Sequence, residues 1–285
     1  MRRIAIISAA SAATVAGGLL AGRGLLRRQA AAARRLIGKP LGEEALDADG
    51  KYKKKYGATL DLLVLGDSIA AGLGADLPKE TLGARLAARL AKATRRTVRL
   101  RTVAQVGSES SMLAAQLATL PASYRPDLAV IVVGGNDVTH RVPVSESVRH
   151  LEAAIADLRT RGAGVVVGSC PDLGALRPLP QPLRALGSRA SRQLAQAQEA
   201  AAVRAGAHAV SLAQVVGPFF VTHPDKMFSL DRLHPSSAGY KRTAKALLPS
   251  LLAALGLEEE VPSGHRAPKS VDGSSDSTAR QSIST

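Results

Sequence analysis

Leu62-Leu63-Val64-Leu65-Gly66-Asp67-Ser68 is an apolar run that stops at a small, polar turn. Four consecutive apolar residues closed by Gly and Asp read as a strand buried on both faces, the kind found inside parallel sheets. Ser68 then falls just past the carboxyl end of a strand, where open α/β sheets hold their ligands.

Outward from this strand the chain alternates. Leu82, Leu86 and Leu90 recur at helical spacing, and Val98 to Val103 alternates apolar with polar residues as a half-exposed strand does. Leu113, Leu117 and Leu120 mark a helix, and Leu128 to Val133 is a second wholly apolar strand. A helix with Val148, Leu151, Ile155 and Leu158 on one face follows, then a strand at Val165 to Val167 and a helix from Gln193 to Val203. A short strand at Ala209 to Leu212 and a closing helix through Leu247, Leu251 and Leu255 complete the pattern. Such alternation predicts an α/β fold with a parallel five-stranded sheet, helices on both faces and right-handed crossovers. The three wholly apolar strands belong in the centre, and the alternating and the short strand at the edges. That predicts the order 2-1-3-4-5, with a switch point between strands one and three.

Four polar or glycine-rich sites converge at that switch point: Ser68, Gly107-Ser108, Gly134-Gly135-Asn136-Asp137 and Asp231-Arg232-Leu233-His234. Each alone is also a plausible turn or cap. Together they supply what acyl transfer needs. A serine hydroxyl is a weak nucleophile until an imidazole accepts its proton, and the imidazole needs a carboxylate on its other nitrogen. His234 and Asp231 offer both from one short turn. A developing oxyanion needs preorganised donors, which the N–H groups of Ser68 and Gly107 and the amide of Asn136 provide; losing one such donor typically costs about 3 kcal/mol in the barrier.

In order and approximate spacing, Gly66-Asp67-Ser68, Gly107, Gly134-Gly135-Asn136-Asp137 and Asp231-x-x-His234 resemble the blocks of the SGNH, or GDSL-type, hydrolases. The resemblance covers roughly residues 61–255. It implies a three-layer, flavodoxin-like fold, hydrolysis of acyl esters, Ser68 as nucleophile, His234 as base oriented by Asp231, and an oxyanion hole of Ser68, Gly107 and Asn136. One departure is that Gly107 is followed by Ser108-Glu109, outside the Asn-x-Gly-x-Ser-Gly context often seen in the second block.

The flanks differ from this domain, taken as residues 60–256. Residues 1–59 carry twelve Lys or Arg against four Asp or Glu, so +8 of the net +15 lies there. With 2% aromatic residues there are few rings for base stacking, and the arm reads toward anionic lipid rather than nucleic acid. Ile4 to Gly22 holds no charge and, as a helix, spans about 28 Å, so residues 1–26 are expected to be an uncleaved membrane anchor or export signal. That places the domain at the membrane, facing the cell envelope, although the arginines that follow favour a cytoplasmic arm and leave the side open. Residues 27–59 read as a basic stem, and residues 257–285, rich in Ser, Gly, Pro and charge, as a disordered tail.

Competing chemistries find less support. Gly72-Leu73-Gly74 resembles a dinucleotide loop, yet Leu77 stands where a third glycine belongs and no phosphate-binding Lys follows. No Gly-x-Ser-x-Gly elbow is present, which argues against the ordinary α/β-hydrolase fold. His140, His150, His208 and His265 are scattered without metal-ligand spacing, so neither metal nor cofactor is expected. His223-Pro224-Asp225 reads as a loop, and Cys170 as a buried small hydrophobe. The remaining alternatives are a nucleotide-binding α/β protein and a catalytically silent envelope-binding module.

Overall fold

The computed structural model describes residues 2–38 and 40–268, with side chains from residue 20 onward. The chain runs α1 (Arg2–Ile37), β1 (Gly50–Tyr52), β2 (Thr59–Gly66), α2 (Ser68–Ala71), α3 (Leu82–Thr94), β3 (Thr97–Thr102), α4 (Leu113–Ala118) and β4 (Leu128–Val132). It continues through α5 (Gly135–His140), α6 (Val144–Thr160), β5 (Gly164–Gly168), α7 (Leu183–Arg204) and β6 (His208–Val210). Three short helices, α8 (Leu212–Val215), α9 (Gly217–Thr222) and α10 (Pro224–Met227), lead to α11 (Ser237–Ala254) and β7 (His265–Arg266).

The two-residue period of β2 explains the layers. Leu60, Leu62 and Val64 pack with Leu86 and Leu90 of α3 and Leu247 and Leu251 of α11 on one face. Leu63 and Leu65 pack with Leu113 and Leu117 of α4 and Leu151, Ile155 and Leu158 of α6 on the other. A strand covered on both sides has no polar face to show, hence the unbroken apolar run. At its end Gly66 has φ 132°, and a side chain there would put Cβ 1.9 Å from the Val132 carbonyl oxygen. Only glycine lets β2 and β4 stay this close while the chain turns into Ser68.

The sheet order is β1-β3-β2-β4-β5-β6-β7, and its five inner strands are parallel in the order expected. The correction concerns the edges. β1, from the segment read as a stem, pairs antiparallel with β3, and β7, from the segment read as a disordered tail, pairs antiparallel with β6. Three and two residues are too short to show a period, so neither strand is visible as a pattern. Residues 269–285 of the tail lie outside the described residues.

The anchor reading is not supported. Among the described residues no helix is long and apolar enough to cross a membrane. The side chains of residues 4–19, most of the run Ile4–Gly22, lie outside those described. The part of α1 beyond them does not project as a stem: Gln29 donates to the Gln181 carbonyl (2.6 Å) and accepts from the Leu183 N–H (3.2 Å), which fastens it to the start of α7.

Candidate active site

Ser68 is the first residue of α2, so its N–H has no acceptor within the helix. It stands at the carboxyl end of β2, and its side chain is 8% exposed. His234 stands on a turn that Asp231 organises. Asp231 Oδ1 accepts the N–H groups of Leu233 and His234, each at 3.0 Å, and Oδ2 accepts from His234 Nδ1 at 2.5 Å. That leaves Nε2 of the ring free to face Ser68 Oγ, 2.9 Å away. Burial works against the Asp231 charge, but the hydrogen bonds from the His234 ring and the two N–H groups prevail and hold its pKa below the usual carboxylate value.

The loop after α2 backs this turn. Gly74 has φ 101°, and a Cβ there would meet the Pro235 carbonyl at 2.6 Å and the His234 Cβ at 3.2 Å. Buried Tyr240 of α11 donates its hydroxyl to the Leu73 carbonyl at 2.6 Å, so one helix fixes the approach of both Ser68 and His234.

Asn136 lies in the first turn of α5 and lines the same cleft. One of its amide N–H groups is spent on the Ser108 carbonyl at 3.0 Å, and the second is available. Gly107, with φ 84°, is exposed on the turn beside Ser108 and is not among the residues lining the cleft. The structure therefore brings Ser68, Asp231, His234 and Asn136 together and sets Gly107 at the margin. Asp137 turns away to accept the Ser110 N–H and the Ser147 hydroxyl (2.6 Å). His223 bonds Thr222 and, among the described residues, no carboxylate.

Two glutamines escaped the sequence reading. Gln116 clasps both backbone groups of Gly66, accepting its N–H at 2.9 Å and donating to its carbonyl at 2.8 Å, and also donates to Ser108 Oγ. Gln198 accepts the Cys170 N–H at 2.8 Å and donates to the Val133 carbonyl at 3.0 Å. Each sits in an otherwise apolar helix stripe, between Leu113 and Leu117 or between Leu194 and Ala201, and that interruption is the signal available in the sequence.

Asp67 is buried, 2% exposed, and accepts the Ile69 N–H at 2.9 Å. Burial pushes its pKa up from 3.8 to about 6, against the opposing pull of that hydrogen bond and of His234. A carboxyl with a folded pKa above its unfolded value binds an extra proton when folded, so it lowers stability as pH rises through that window. Asp67→Asn removes the titration and should gain up to about 3 kcal/mol on the wild type between about pH 4 and pH 7. Urea unfolding of both proteins at several pH values checks this, and a pH-independent difference contradicts it.

The cleft around Ser68 and His234 has a volume of about 1260 Å³. Phe220 and Phe228, edge to face at 4.8 Å between centroids, form part of its wall. A second hollow of about 810 Å³ along β3 contains none of the site residues.

Residues 64–242 match the model of the GDSL-like lipase/acylhydrolase family. The chain belongs to that family. It is 38% identical over 270 residues to a GDSL-like esterase of Mycobacterium tuberculosis, covering 91% of this chain and 86% of the relative. The crystal structure of TesA superposes with a TM-score of 0.53 at 28% identity, covering 68% of this chain and 99% of that one. A lipase from a goat rumen metagenome, Lip_vut3, superposes with a TM-score of 0.55 at 19% identity, covering 68% and 97%, and shares the fold. As a member of the GDSL-like family the chain is an ester hydrolase.

Proposed function

We propose that this GDSL-family chain is a serine esterase that hydrolyses carboxylic acyl esters through an acyl-enzyme. The observation that carries the reading is the relay itself, with His234 Nε2 2.9 Å from Ser68 Oγ and Nδ1 2.5 Å from Asp231 Oδ2. Ser68 Oγ attacks the ester carbonyl carbon as its proton passes to His234 Nε2. Asp231 keeps the Nδ1 proton in place and stabilises the imidazolium that forms. The oxyanion of the tetrahedral intermediate takes the Ser68 N–H and the free amide N–H of Asn136. Collapse of the intermediate breaks the bond to the alcohol, which leaves with the proton from Nε2. Water, deprotonated by the same nitrogen, then releases the acid and regenerates Ser68.

Cys170 is an unsuitable nucleophile, because burial raises its thiol pKa well above the ordinary value. Hydrolysis of a short-chain chromogenic ester by the full chain, lost in step with the uptake of one fluorophosphonate per protein, tests the reading. Retained turnover in the fully labelled protein overturns it. Attachment to a membrane through residues 4–22 rests on their sequence alone and is a matter for fractionation of the full-length chain.

A further inference from the structure

The half of α1 that follows residue 19 lies outside the residues matched by the family, yet it closes one side of the catalytic cleft. Its inward positions, Leu26, Ala30, Ala33 and Ile37, recur at intervals of four, three and four, which places them on one helix face. All four line the same cavity as Ser68 and His234, and Ala33 is only 4% exposed. The wall beside it is also apolar, with Leu176, Leu179, Leu183 and Leu186 from the start of α7 and the segment before it. At about 1260 Å³ the space is larger than a small acyl group needs, and larger than most single-ligand pockets.

The rim of this channel is basic. Arg23, Arg27 and Arg34 of α1 and Arg141 at the end of α5 line it, all four exposed and without an ion-pair or side-chain hydrogen-bond partner among the described residues. The carboxylates that share the lining are already engaged: Asp172 pairs with Arg192 at 2.7 Å, and Asp67 is buried beneath Ser68. Four unpaired guanidinium groups beside an apolar channel suit a ligand with a hydrocarbon chain and a negatively charged end.

Building on the serine-esterase reading, we propose that residues 20–37 of α1 are a specificity element that forms the chain-binding wall of the active site. The preferred substrate is then an acyl ester with an extended chain, about eight carbons or more, and an anionic head that meets Arg23, Arg27, Arg34 and Arg141. Gln29 holds the wall in place through its two bonds to the Gln181 and Leu183 backbone.

The test uses the full chain and a series of p-nitrophenyl esters from acetyl to decanoyl. Each methylene that leaves water for the channel contributes up to about fourfold, so kcat/KM for decanoyl should exceed that for acetyl by at least about tenfold. Ala33→Trp, which fills the channel, and Gln29→Ala, which unfastens the wall, should each lower that ratio by about tenfold or more, with unfolding midpoints showing both variants folded. For the head, decyl phosphate should compete with substrate at least about tenfold more tightly than decyltrimethylammonium, and the double variant Arg27→Glu/Arg34→Glu should erase the gap. A wild-type profile that peaks at acetyl, a ratio unchanged in both wall variants, or equal inhibition by the two amphiphiles overturns the proposal. Failure of every ester together with failure to take up fluorophosphonate would instead refute the serine-esterase reading beneath it.

Discussion

Ser68→Ala lowers kcat on a short-chain ester by about ten-thousandfold or more, the scale seen when a serine nucleophile is removed from a relay of this kind. The hydroxyl forms the new bond to the acyl carbon, and no neighbouring side chain can replace it. Asp67 beside it is buried with its carboxyl committed to the Ile69 N–H, and Cys170 is fully buried. What survives is the weak acceleration from the oxyanion donors and from binding. The fold should hardly notice, since among the described residues the only side-chain hydrogen bond of Ser68 is the one to His234, at the wall of an open cleft. Steady-state kinetics beside a denaturant melt separate the two effects. A variant that retains a tenth of wild-type kcat contradicts the mechanism.

Asp231→Asn is expected to cost about a hundred- to ten-thousandfold in kcat with the turn preserved. An asparagine oxygen can still accept the Leu233 and His234 N–H groups, each 3.0 Å from Asp231 Oδ1. Its amide nitrogen, however, would face Nδ1 with a donor where the ring needs an acceptor. The imidazole then carries its proton on Nε2, the nitrogen that must take the proton of Ser68. The same substitution has a pH signature. Because hydrogen bonds hold the Asp231 pKa below its ordinary value despite burial, the ionised group contributes stability above the ordinary carboxylate range, and that contribution is lost as pH falls through the depressed folded value. The advantage of wild type over Asp231→Asn in urea melts should shrink on acidification. This is opposite in sense to Asp67, whose raised pKa makes the folded state relatively better at low pH.

The two aspartates also show what a sequence can and cannot reveal here. Asp231-x-x-His234 is a local motif, and three residues of spacing are enough for one carboxylate to reach both the ring and two backbone N–H groups. Asp67 is equally local, but its pKa depends on packing contributed from β4 and α5, which no neighbour in the chain reports. The parallel core was legible for a similar reason: strands as apolar as Leu62–Leu65 and Leu128–Val133 cannot lie at an edge, so the five-strand order followed. β1 and β7 were not, because Gly50-Lys51-Tyr52 and His265-Arg266 carry no period and exist only where a sheet edge offers them hydrogen bonds. The position of Arg23–Ile37 beside the cleft was hidden too. An Ala- and Arg-rich helix looks alike whether solvated or seated on a cleft, and the burial of Ala33 with the bonds of Gln29 to the start of α7 separates the cases. Gly107 carries the motif position, yet the turn that bears it stands at the margin of the cleft.

The central claim is that Ser68 is the residue that becomes acylated. Full-length protein incubated with a fluorophosphonate, digested and sequenced by mass spectrometry should carry a single adduct on Ser68, absent from Ser68→Ala and much slower to form in Asp231→Asn. An adduct on any other residue, or an active ester hydrolase that takes up no label, would contradict the account.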